Sequence, residues 1–265
     1  MYQTARNQPK TRLIMGPVAE GLARTGWTVE GRESERYPQG DEDRADMLAI
    51  WGDHFGSEKI LRNVGKGRWK LLQVDNGYTD RRRYEGHYSL SYGARQCHAY
   101  LWTAPFSPGR FALLREAIQP WRKDGTTILL LAPSIKQGKF LGFDSNTWAR
   151  QMVNQIAAHT KKRILVSVKQ FHETTPLRDI LAKELIHAAV GYNTKGLVDC
   201  LLYGIPVFNV APCVTERMGL QDLSKIEAPY YPENRQEFFE RLAHHQFLLS
   251  EIAEGLPFRA GVMPL

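Results

Sequence analysis

The chain has 265 residues, of which 43% are hydrophobic, and its formal net charge is +7. This length allows one large domain or two small ones, and the apolar content suffices for a hydrophobic core. No apolar run approaches the roughly 18 residues of a membrane span, and no apolar segment near the start is typical of a signal peptide. We therefore expect no membrane association. Three widely spaced cysteines favour a reducing compartment, by default the cytoplasm.

The excess positive charge is concentrated in one part of the chain. Residues 59–110 contain ten Lys or Arg and three acidic residues, whereas the rest of the chain is balanced. A basic segment of this kind predicts attraction to polyanions such as nucleic acid. A solvated basic face is the alternative interpretation.

The first half of the chain predicts helices and strands in alternation. The predicted elements are a helix at 12–25, strands at 27–30, 47–51 and 71–74, and a helix at 58–64. Residues 81–108 are aromatic and basic, and their pattern predicts no element. The polar stretch 119–125 contains Pro120 and precedes a new strand, so it is the predicted linker.

The second half gives a clearer pattern. Strands are predicted at 127–132, 163–168, 187–190 and 207–210, and helices at 147–158, 176–183, 195–203 and 233–254. The last helix ends at Gly255, a common C-terminal signal. Because the strands are apolar throughout and alternate with helices, the pattern predicts a parallel sheet covered on both faces.

The segment after the strand at 187–190 is the first candidate site. Tyr192, Asn193 and Thr194 lie where a strand leads into a helix N-terminus, a place that suits a phosphate. Helix capping by Asn193 and Thr194 is an equally simple explanation. Asp199 lies among Leu and Val residues and suits the two hydroxyls of a ribose, unless it is a water-exposed rim residue.

A second candidate site follows the strand at 71–74. Asp75 lies at the carboxyl end of this strand, where open α/β sheets build their sites. It is the first candidate for a general base that takes a proton from a hydroxyl group. Asp53 and His54 follow the strand at 47–51 in the same way and are its rivals. An Asx-turn is the structural alternative for Asp75.

Four stretches resemble glycosyltransferases of the GT-B type, and in particular those encoded by bacteriophages. "YNTKGLVDCLLYGIPVF" is similar to the nucleotide-binding half of GT-B enzymes. Three further stretches, "VDNGYTDRRR", "YSLSYGARQCHAY" and "EFFERLAHHQFLLSEIAEGLPF", are similar to segments of the phage proteins. The resemblance covers roughly residues 70–258.

The resemblance implies an α/β fold with two Rossmann-like domains whose parallel sheets face each other across a cleft. Residues 1–118 would bind the acceptor, and residues 119–265, including the closing helix, would bind a nucleotide-diphosphate sugar, with UDP as the default. The residues expected to bind this donor are Ser134, Lys169, Tyr192, Asn193, Thr194 and Asp199. The sequence departs from the family pattern at Lys169, where an Arg-Pro pair is common, and a lysine offers a point charge instead of a fork.

The acceptor is predicted from the basic segment. Arg81, Arg82 and Arg83 are interleaved with Tyr78 and other tyrosines, and DNA binding uses cations for phosphates and aromatic rings for bases. Together with the resemblance, this predicts a hexosyl- or pentosyltransferase that modifies hydroxymethylated bases in double-stranded phage DNA, in the host cytoplasm. A carbohydrate or small-molecule acceptor is the first alternative, and a non-catalytic nucleic-acid-binding protein is the second.

Two metal-like patterns are set aside. The acidic run at residues 41–43 follows no apolar strand, and His244 and His245 are neighbours that point about 100° apart on a helix. We therefore predict no metal and no cofactor beyond the nucleotide-sugar co-substrate.

Overall fold

The computed structural model describes residues 2–3, 9–33, 45–52, 60–61, 70–82, 84–93, 100–168 and 176–259. The chain forms two units, the first made of Met1–Glu116 and Phe239–Leu265 and the second of Ala117–Phe238. The domain boundary predicted at residues 118 and 119 stays a prediction. The two units differ from it by placing Phe239–Leu265 with the first half of the chain.

The elements are numbered in chain order. The strands are β1 (Tyr2–Gln3), β2 (Arg32–Glu33), β3 (Met47–Trp51), β4 (Lys70–Asn76), β5 (Tyr88–Tyr92), β6 (Thr127–Ala132), β7 (Arg163–Val168), β8 (Ile186–Gly191), β9 (Val207–Asn209), β10 (Gly219–Leu220) and β11 (Gln246–Phe247). The α-helices are α1 (Pro9–Arg24), α2 (Ile135–Leu141), α3 (Ser145–Ala157), α4 (Leu177–Lys183), α5 (Gly196–Leu202), α6 (Arg235–Ala243) and α7 (Leu249–Ala253). Short 3-10 helices lie at Arg110–Leu114, Glu216–Met218, Leu223–Lys225 and Leu256–Phe258.

The second unit contains a parallel five-stranded sheet with the order β10-β9-β8-β6-β7. Its central strands β6 and β8 are buried along their whole length. One face packs against α3 through Ile128, Leu130, Met152 and Ile156. These observations confirm the parallel sheet that the apolar strands predicted, because a strand buried on both faces needs no polar alternation.

The strand order contains a topological switch point. From β6 the chain moves to β7 on one side, and then returns to add β8, β9 and β10 on the other side. The connections that leave β6 and β8 therefore diverge, and open α/β sheets bind ligands in the crevice formed at such a point.

The first unit contains a mixed sheet with the order β11-β5-β4-β3. Strands β3 and β4 are parallel, but β5 is antiparallel to β4 and β11 is antiparallel to β5. The sheet thus differs from the parallel sheet that was predicted for this half. The physical reason is the short connection at residues 77–87, because a parallel pair needs a longer crossover and usually a helix.

Three predicted elements need correction. Residues 27–30 form no strand, and the nearest strand is β2. The helix predicted at 233–254 is instead α6, β11 and α7, because the chain leaves the helix after Ala243 and pairs with β5. A helix that was not predicted, α2, fills the loop after β6. The helix predicted at 58–64 lies mostly outside the described residues.

The predicted linker at 119–125 packs closely against the second unit. The backbone N–H groups of Gln119 and Arg122 donate to the carbonyls of Leu202 and Gly204 at 2.8 and 2.7 Å. The Arg235 guanidinium donates to the Gln119 carbonyl at 2.6 Å and lies 3.8 Å from the centre of the Trp121 ring. This stretch is therefore an integral part of the second unit and does not behave as a free linker.

Helices α1 and α7 cross closely in the first unit, and the crossing depends on Gly21. A Cβ atom at Gly21 would lie 1.9 Å from the carbonyl oxygen of Ile252 in α7. Ile14, Val18 and Leu22 on the same helix are buried in the core of this unit. The glycine thus permits the contact between two backbones.

Gly21→Ala is expected to lower the free energy of unfolding by about 3 kcal/mol, the upper end of the usual cost of overpacking. Gly16→Ala is the matched control, because Gly16 lies on the same helix and a Cβ there would meet nothing within 4 Å. This control should change stability by less than about 1 kcal/mol, because the gain in helix propensity is opposed by the ring of Pro17, which disfavours a helical backbone for a residue with a Cβ before it. Urea denaturation of both variants measures the difference, and equal stabilities would contradict the close crossing.

Within the described ranges, no helix is both long and apolar enough to span a bilayer.

Candidate functional site

The first candidate site is the crevice at the switch point of the second unit. Leu131 near the end of β6 pairs in register with Gly191 at the end of β8, so the two strands end at the same level of the sheet. Beyond this level, β6 leads to Ser134 and β8 leads to Tyr192, Asn193 and Thr194. Four of the six residues predicted to bind the donor thus lie at one edge of one sheet.

Ser134 begins α2 and organises the loop that follows β6. Its Oγ accepts a hydrogen bond from the Gln137 N–H at 3.2 Å, and its carbonyl accepts one from the Ser145 hydroxyl at 3.0 Å. The side-chain amide of Gln137 then donates to the Asn193 carbonyl at 3.3 Å. The loops after β6 and β8 are therefore joined directly, which fixes the width of the crevice between them.

Asn193 is the most unusual residue of this edge. Its φ is 36°, in the left-handed region that few residues other than glycine adopt. Its side-chain Oδ1 is buried and accepts no hydrogen bond from any described residue. Backbone strain and an unsatisfied buried acceptor each cost free energy, and both concentrate at functional sites.

Thr194 contacts the first turn of α5. Its hydroxyl oxygen accepts from the Gly196 N–H at 3.2 Å, and its carbonyl accepts from the Leu197 N–H at 3.1 Å. This is a local hydrogen bond just before α5, whose N-cap residue is Lys195, so the capping alternative for Thr194 is not settled by it. The hydroxyl hydrogen remains able to donate to another group.

Asp199 is half-buried within α5 and interacts with another group of the chain. Burial raises the pKa of the neighbouring Cys200 thiol well above its ordinary value, and the charge of Asp199 raises it further. The thiol is therefore protonated and inert. The role of Asp199 as a ribose ligand stays a prediction.

The second candidate site lies at the end of β4 in the first unit. Asp75 is half-buried, pairs in register with Ser89, and accepts a hydrogen bond from the Asn76 N–H at 2.7 Å. The Gly77 N–H donates to the His87 carbonyl, which continues the ladder by one step. Since side chains alternate along a strand, Asp75 and His87 project from the same face of this ribbon.

His87 and Asp80 form a buried pair, and the exposed Arg82 binds to the same carboxylate. The His87 Nδ1 lies 2.7 Å from the Asp80 carboxylate, and both side chains are 4% exposed. Arg82 donates to the same carboxylate through Nε and an NH2 group at 2.6 and 3.1 Å. Burial by itself raises the pKa of Asp80, but the hydrogen bonds from Arg82 and His87 outweigh it and hold this pKa below its usual value. Burial lowers the pKa of His87, so its imidazole is neutral at pH 7.

The loop that carries this cluster is strained. Asp80 and Tyr84 have φ values of 46° and 65°, and a Cβ at Gly86 would lie 2.1 Å from the Asp80 carbonyl oxygen. This cluster was not predicted from the sequence, because Arg82 was assigned to DNA. The signal that the sequence does contain is the pair Asp80 and His87. Six residues lie between them, one of which is Gly86, and this spacing is typical of a closed loop.

The residues predicted to contact DNA differ in their exposure and in their partners within the chain. Tyr78 is 2% exposed and its N–H donates to the Gln246 side chain, so its ring is not available as a stacking surface. Arg82 is held by Asp80, and Arg81 is exposed. Arg83 lies outside the described residues, as do Asp53, His54, Lys169 and the acidic run at 41–43.

The paired histidines of the C-terminal segment have separate partners. His244 contacts the backbone of Ser107, whereas His245 is buried against the ring of Tyr100. The part of the chain that the structure describes brings no three His, Cys, Asp or Glu residues together in a way that would hold a metal ion.

No protein-family model matches the chain, and no curated protein sequence matches it. Several solved structures are similar to it, including two Kdo transferases. The β-Kdo 2,7 transferase of KpsC from Thermosulfurimonas dismutans is 14% identical, with 96% of this chain and 97% of that chain covered and a TM-score of 0.54. The β-Kdo 2,4 transferase of the same protein is 11% identical, with coverages of 91% and 89% and a TM-score of 0.51. At such identities the likeness shows the fold, which is α/β and GT-B-like, as the sequence predicted.

Proposed function

We propose that this chain is a glycosyltransferase that moves a sugar from a nucleotide-activated donor to a hydroxyl group of a carbohydrate acceptor. The observation that carries the proposal is the switch-point crevice of the second unit. It gathers Ser134, Asn193 and Thr194 at the carboxyl edge of a parallel sheet, in a chain whose fold is shared along nearly its whole length with two sugar transferases.

In this proposal the second unit binds the donor. The hydroxyl groups of Ser134 and Thr194 and the amide of Asn193 offer polar contacts at one edge, and Asp199 lies one turn further along α5. Nucleotides bind in this position in other open α/β sheets. UDP is the default nucleotide, and the sugar named for both similar structures, Kdo, is the first to test beside UDP-sugars.

The first unit supplies the proton acceptor. Asp75 takes the proton from the acceptor hydroxyl as its oxygen bonds to the sugar, and the nucleotide leaves with the electron pair of the broken bond. The half-buried position of Asp75 at a strand end suits this role, because its carboxylate is held by the Asn76 N–H and its side chain is partly exposed.

A carbohydrate acceptor is favoured over DNA by the similar structures, whose names refer to Kdo transfer and not to DNA or to a bacteriophage. The DNA proposal is supported by the charge of residues 59–110 alone. Two of its four contact residues, Tyr78 and Arg82, are respectively buried and paired with an acid.

A transfer assay tests both acceptors at once. The full chain is incubated with a panel of UDP-sugars and nucleotide-activated Kdo, and with either an oligosaccharide mixture or duplex DNA that contains hydroxymethylated bases. We expect a mass gain of one sugar in the oligosaccharides. Mass spectrometry of the acceptors, and of nucleosides released from the DNA, measures it.

Three other results would each change the conclusion. A mass gain only in the nucleosides would replace the carbohydrate proposal by the DNA proposal. Affinity for DNA without transfer to any acceptor would favour the non-catalytic nucleic-acid-binding protein. A chain that binds neither nucleotide sugars nor DNA would contradict both the carbohydrate proposal and the DNA proposal.

A further inference from the structure

Three aromatic side chains meet between the segments that follow β6 and β8, at the carboxyl edge of the sheet. The Tyr192 ring lies 5.5 Å from the Phe143 ring and 5.8 Å from the Trp148 ring, edge to face in both cases. The Phe143 and Trp148 rings are 6.5 Å apart and inclined by 27°. Phe143, Trp148 and Tyr192 are called the aromatic cluster below.

The aromatic cluster joins the two sides of the switch point. Tyr192 follows β8 directly and precedes the strained Asn193, whereas Phe143 and Trp148 belong to the segment that leaves β6. Hydrogen bonds fix this segment, since the Phe143 N–H donates to the Gly138 carbonyl at 3.0 Å and Asp144 caps α3 through the Thr147 N–H at 2.7 Å. The rings are therefore held in a defined position at the same edge as Asn193.

Core packing is the simplest alternative explanation, and it accounts for only part of the geometry. Trp148 does pack against the core that lies between α3 and the sheet. All three side chains nevertheless remain partly exposed. A tyrosine that served only the core would be expected to bury its ring.

We propose that the aromatic cluster is the stacking platform for the nucleobase of the donor, with the Tyr192 ring as the main contact. The inference rests on the proposed function, because it names the part of the donor that this edge of the crevice receives. Every nucleobase has a flat π-face, and aromatic side chains bind it largely without regard to its identity. Since stacking does not read the edges of a base, the platform favours nucleotides over ribose phosphates and discriminates weakly among the four bases.

Calorimetry on the full chain tests the platform with CMP, UMP, AMP and GMP, and with ribose 5-phosphate as the ligand that lacks a base. The parent chain should bind each nucleotide more tightly than ribose 5-phosphate. Tyr192→Leu should weaken nucleotide binding about fivefold or more, the low end of the cost of one lost base–aromatic stack, and leave ribose 5-phosphate unchanged. Tyr192→Phe keeps the ring and should retain the affinity of the parent. Thermal unfolding of each variant verifies its fold.

If Tyr192→Leu fails to fold, a fluorescence measurement on a second variant tests the stacking platform instead. Nucleotide binding should quench tryptophan emission in the parent chain, because a base beside Trp148 couples to its ring. Trp148→Phe keeps an aromatic ring, so it should still bind nucleotides but lose most of the quenching. Undiminished quenching in this variant would overturn the proposal.

The outcomes separate this inference from the proposed function. Nucleotide binding that is insensitive to Tyr192→Leu, or that falls equally for ribose 5-phosphate, would overturn the platform and leave the donor crevice standing. A parent chain that binds no nucleotide and no ribose 5-phosphate would overturn both.

Discussion

Asp75→Asn is expected to lower sugar transfer by about 10²–10⁴-fold, the usual contribution of a general base. Asparagine keeps the shape of the side chain and the oxygen that accepts from the Asn76 N–H at 2.7 Å. It cannot take a proton from an acceptor hydroxyl. Nucleotide affinity, which the proposal assigns to the second unit, should remain that of the parent chain.

Initial transfer rates and calorimetric nucleotide affinity are measured together, because only a catalytic role separates them. Asp46→Asn is the matched control, since Asp46 is an exposed aspartate of the same unit just before β3. Activity within tenfold of the parent in Asp75→Asn would remove Asp75 from the reaction. Asp53→Asn and His54→Gln are then the next variants, because both residues come shortly after the end of β3 in the sequence, and Asp75 lies near the end of β4.

The sequence predicted the second unit well because its strands are apolar runs between helices, and its central strands β6 and β8 are buried on both faces. The runs at 127–132 and 163–168 coincide with β6 and β7, and those at 187–190 and 207–210 match β8 and β9 to within one residue at each end. An apolar run between helices has few other stable arrangements. The first unit was predicted less well, since its antiparallel strands β5 and β11 depend on pairing between distant parts of the chain.

The break between α6 and α7 shows why such pairing escapes a reading of the sequence. No glycine or proline lies between residues 235 and 254, so local propensity favours one continuous helix. The competing contacts are distant, since the side chain of Gln246 accepts from the N–H groups of Tyr78 and Thr79 at 2.6 and 2.9 Å. These hydrogen bonds satisfy two backbone N–H groups of the turn after β4 and hold β11 against β5. Together these contacts outweigh the helical preference of the segment.

Only part of the candidate site could be predicted, because the rest again depends on contacts between residues that are distant in the sequence. Tyr192, Asn193 and Thr194 are consecutive, so their place at a strand end follows from the pattern alone. The strain at Asn193, the Asp80–His87 pair and the aromatic cluster depend on the folded loops, and a pattern of apolar residues contains no information about them. Arg82 shows the opposite error, because a charge assigned to an external partner is used within its own loop.

The stability of the chain is expected to fall as the pH decreases from 6.5 to 4 because of His245. This side chain is 1% exposed, and burial, together with the nearby His244, lowers its pKa from 6.5 to about 4. The folded chain therefore keeps His245 neutral down to about pH 4, whereas the unfolded chain binds a proton below about pH 6.5. Since the unfolded state binds more protons in this window, acid favours unfolding. The difference in pKa corresponds to a loss of about 3 kcal/mol once the pH reaches 4.

His245→Phe is the variant that isolates this contribution. Phenylalanine does not titrate and can occupy the same position beside the Tyr100 ring, which the imidazole meets edge to face at 5.2 Å. Because the His245 Nδ1 has no hydrogen-bond partner among the described residues, replacing it breaks no bond at that atom. At pH 7.5 the variant should be less stable than the parent by about 1–3 kcal/mol, the usual cost of placing a larger side chain in a packed core. Between pH 7.5 and 4 its stability relative to the parent should rise by about 3 kcal/mol, because the parent alone loses the contribution of His245.

Urea denaturation of the parent and of His245→Phe between pH 4 and 7.5 measures the two curves. Burial also lowers the pKa of His87 and of His187, so the parent loses stability in acid through these residues as well. Only the difference in stability between the parent and His245→Phe is due to His245. His159→Gln replaces an exposed histidine and should leave that difference unaltered. Parallel curves for the parent and His245→Phe would show that the imidazole reaches water or a proton acceptor in the folded chain, and that His245 does not stay neutral there.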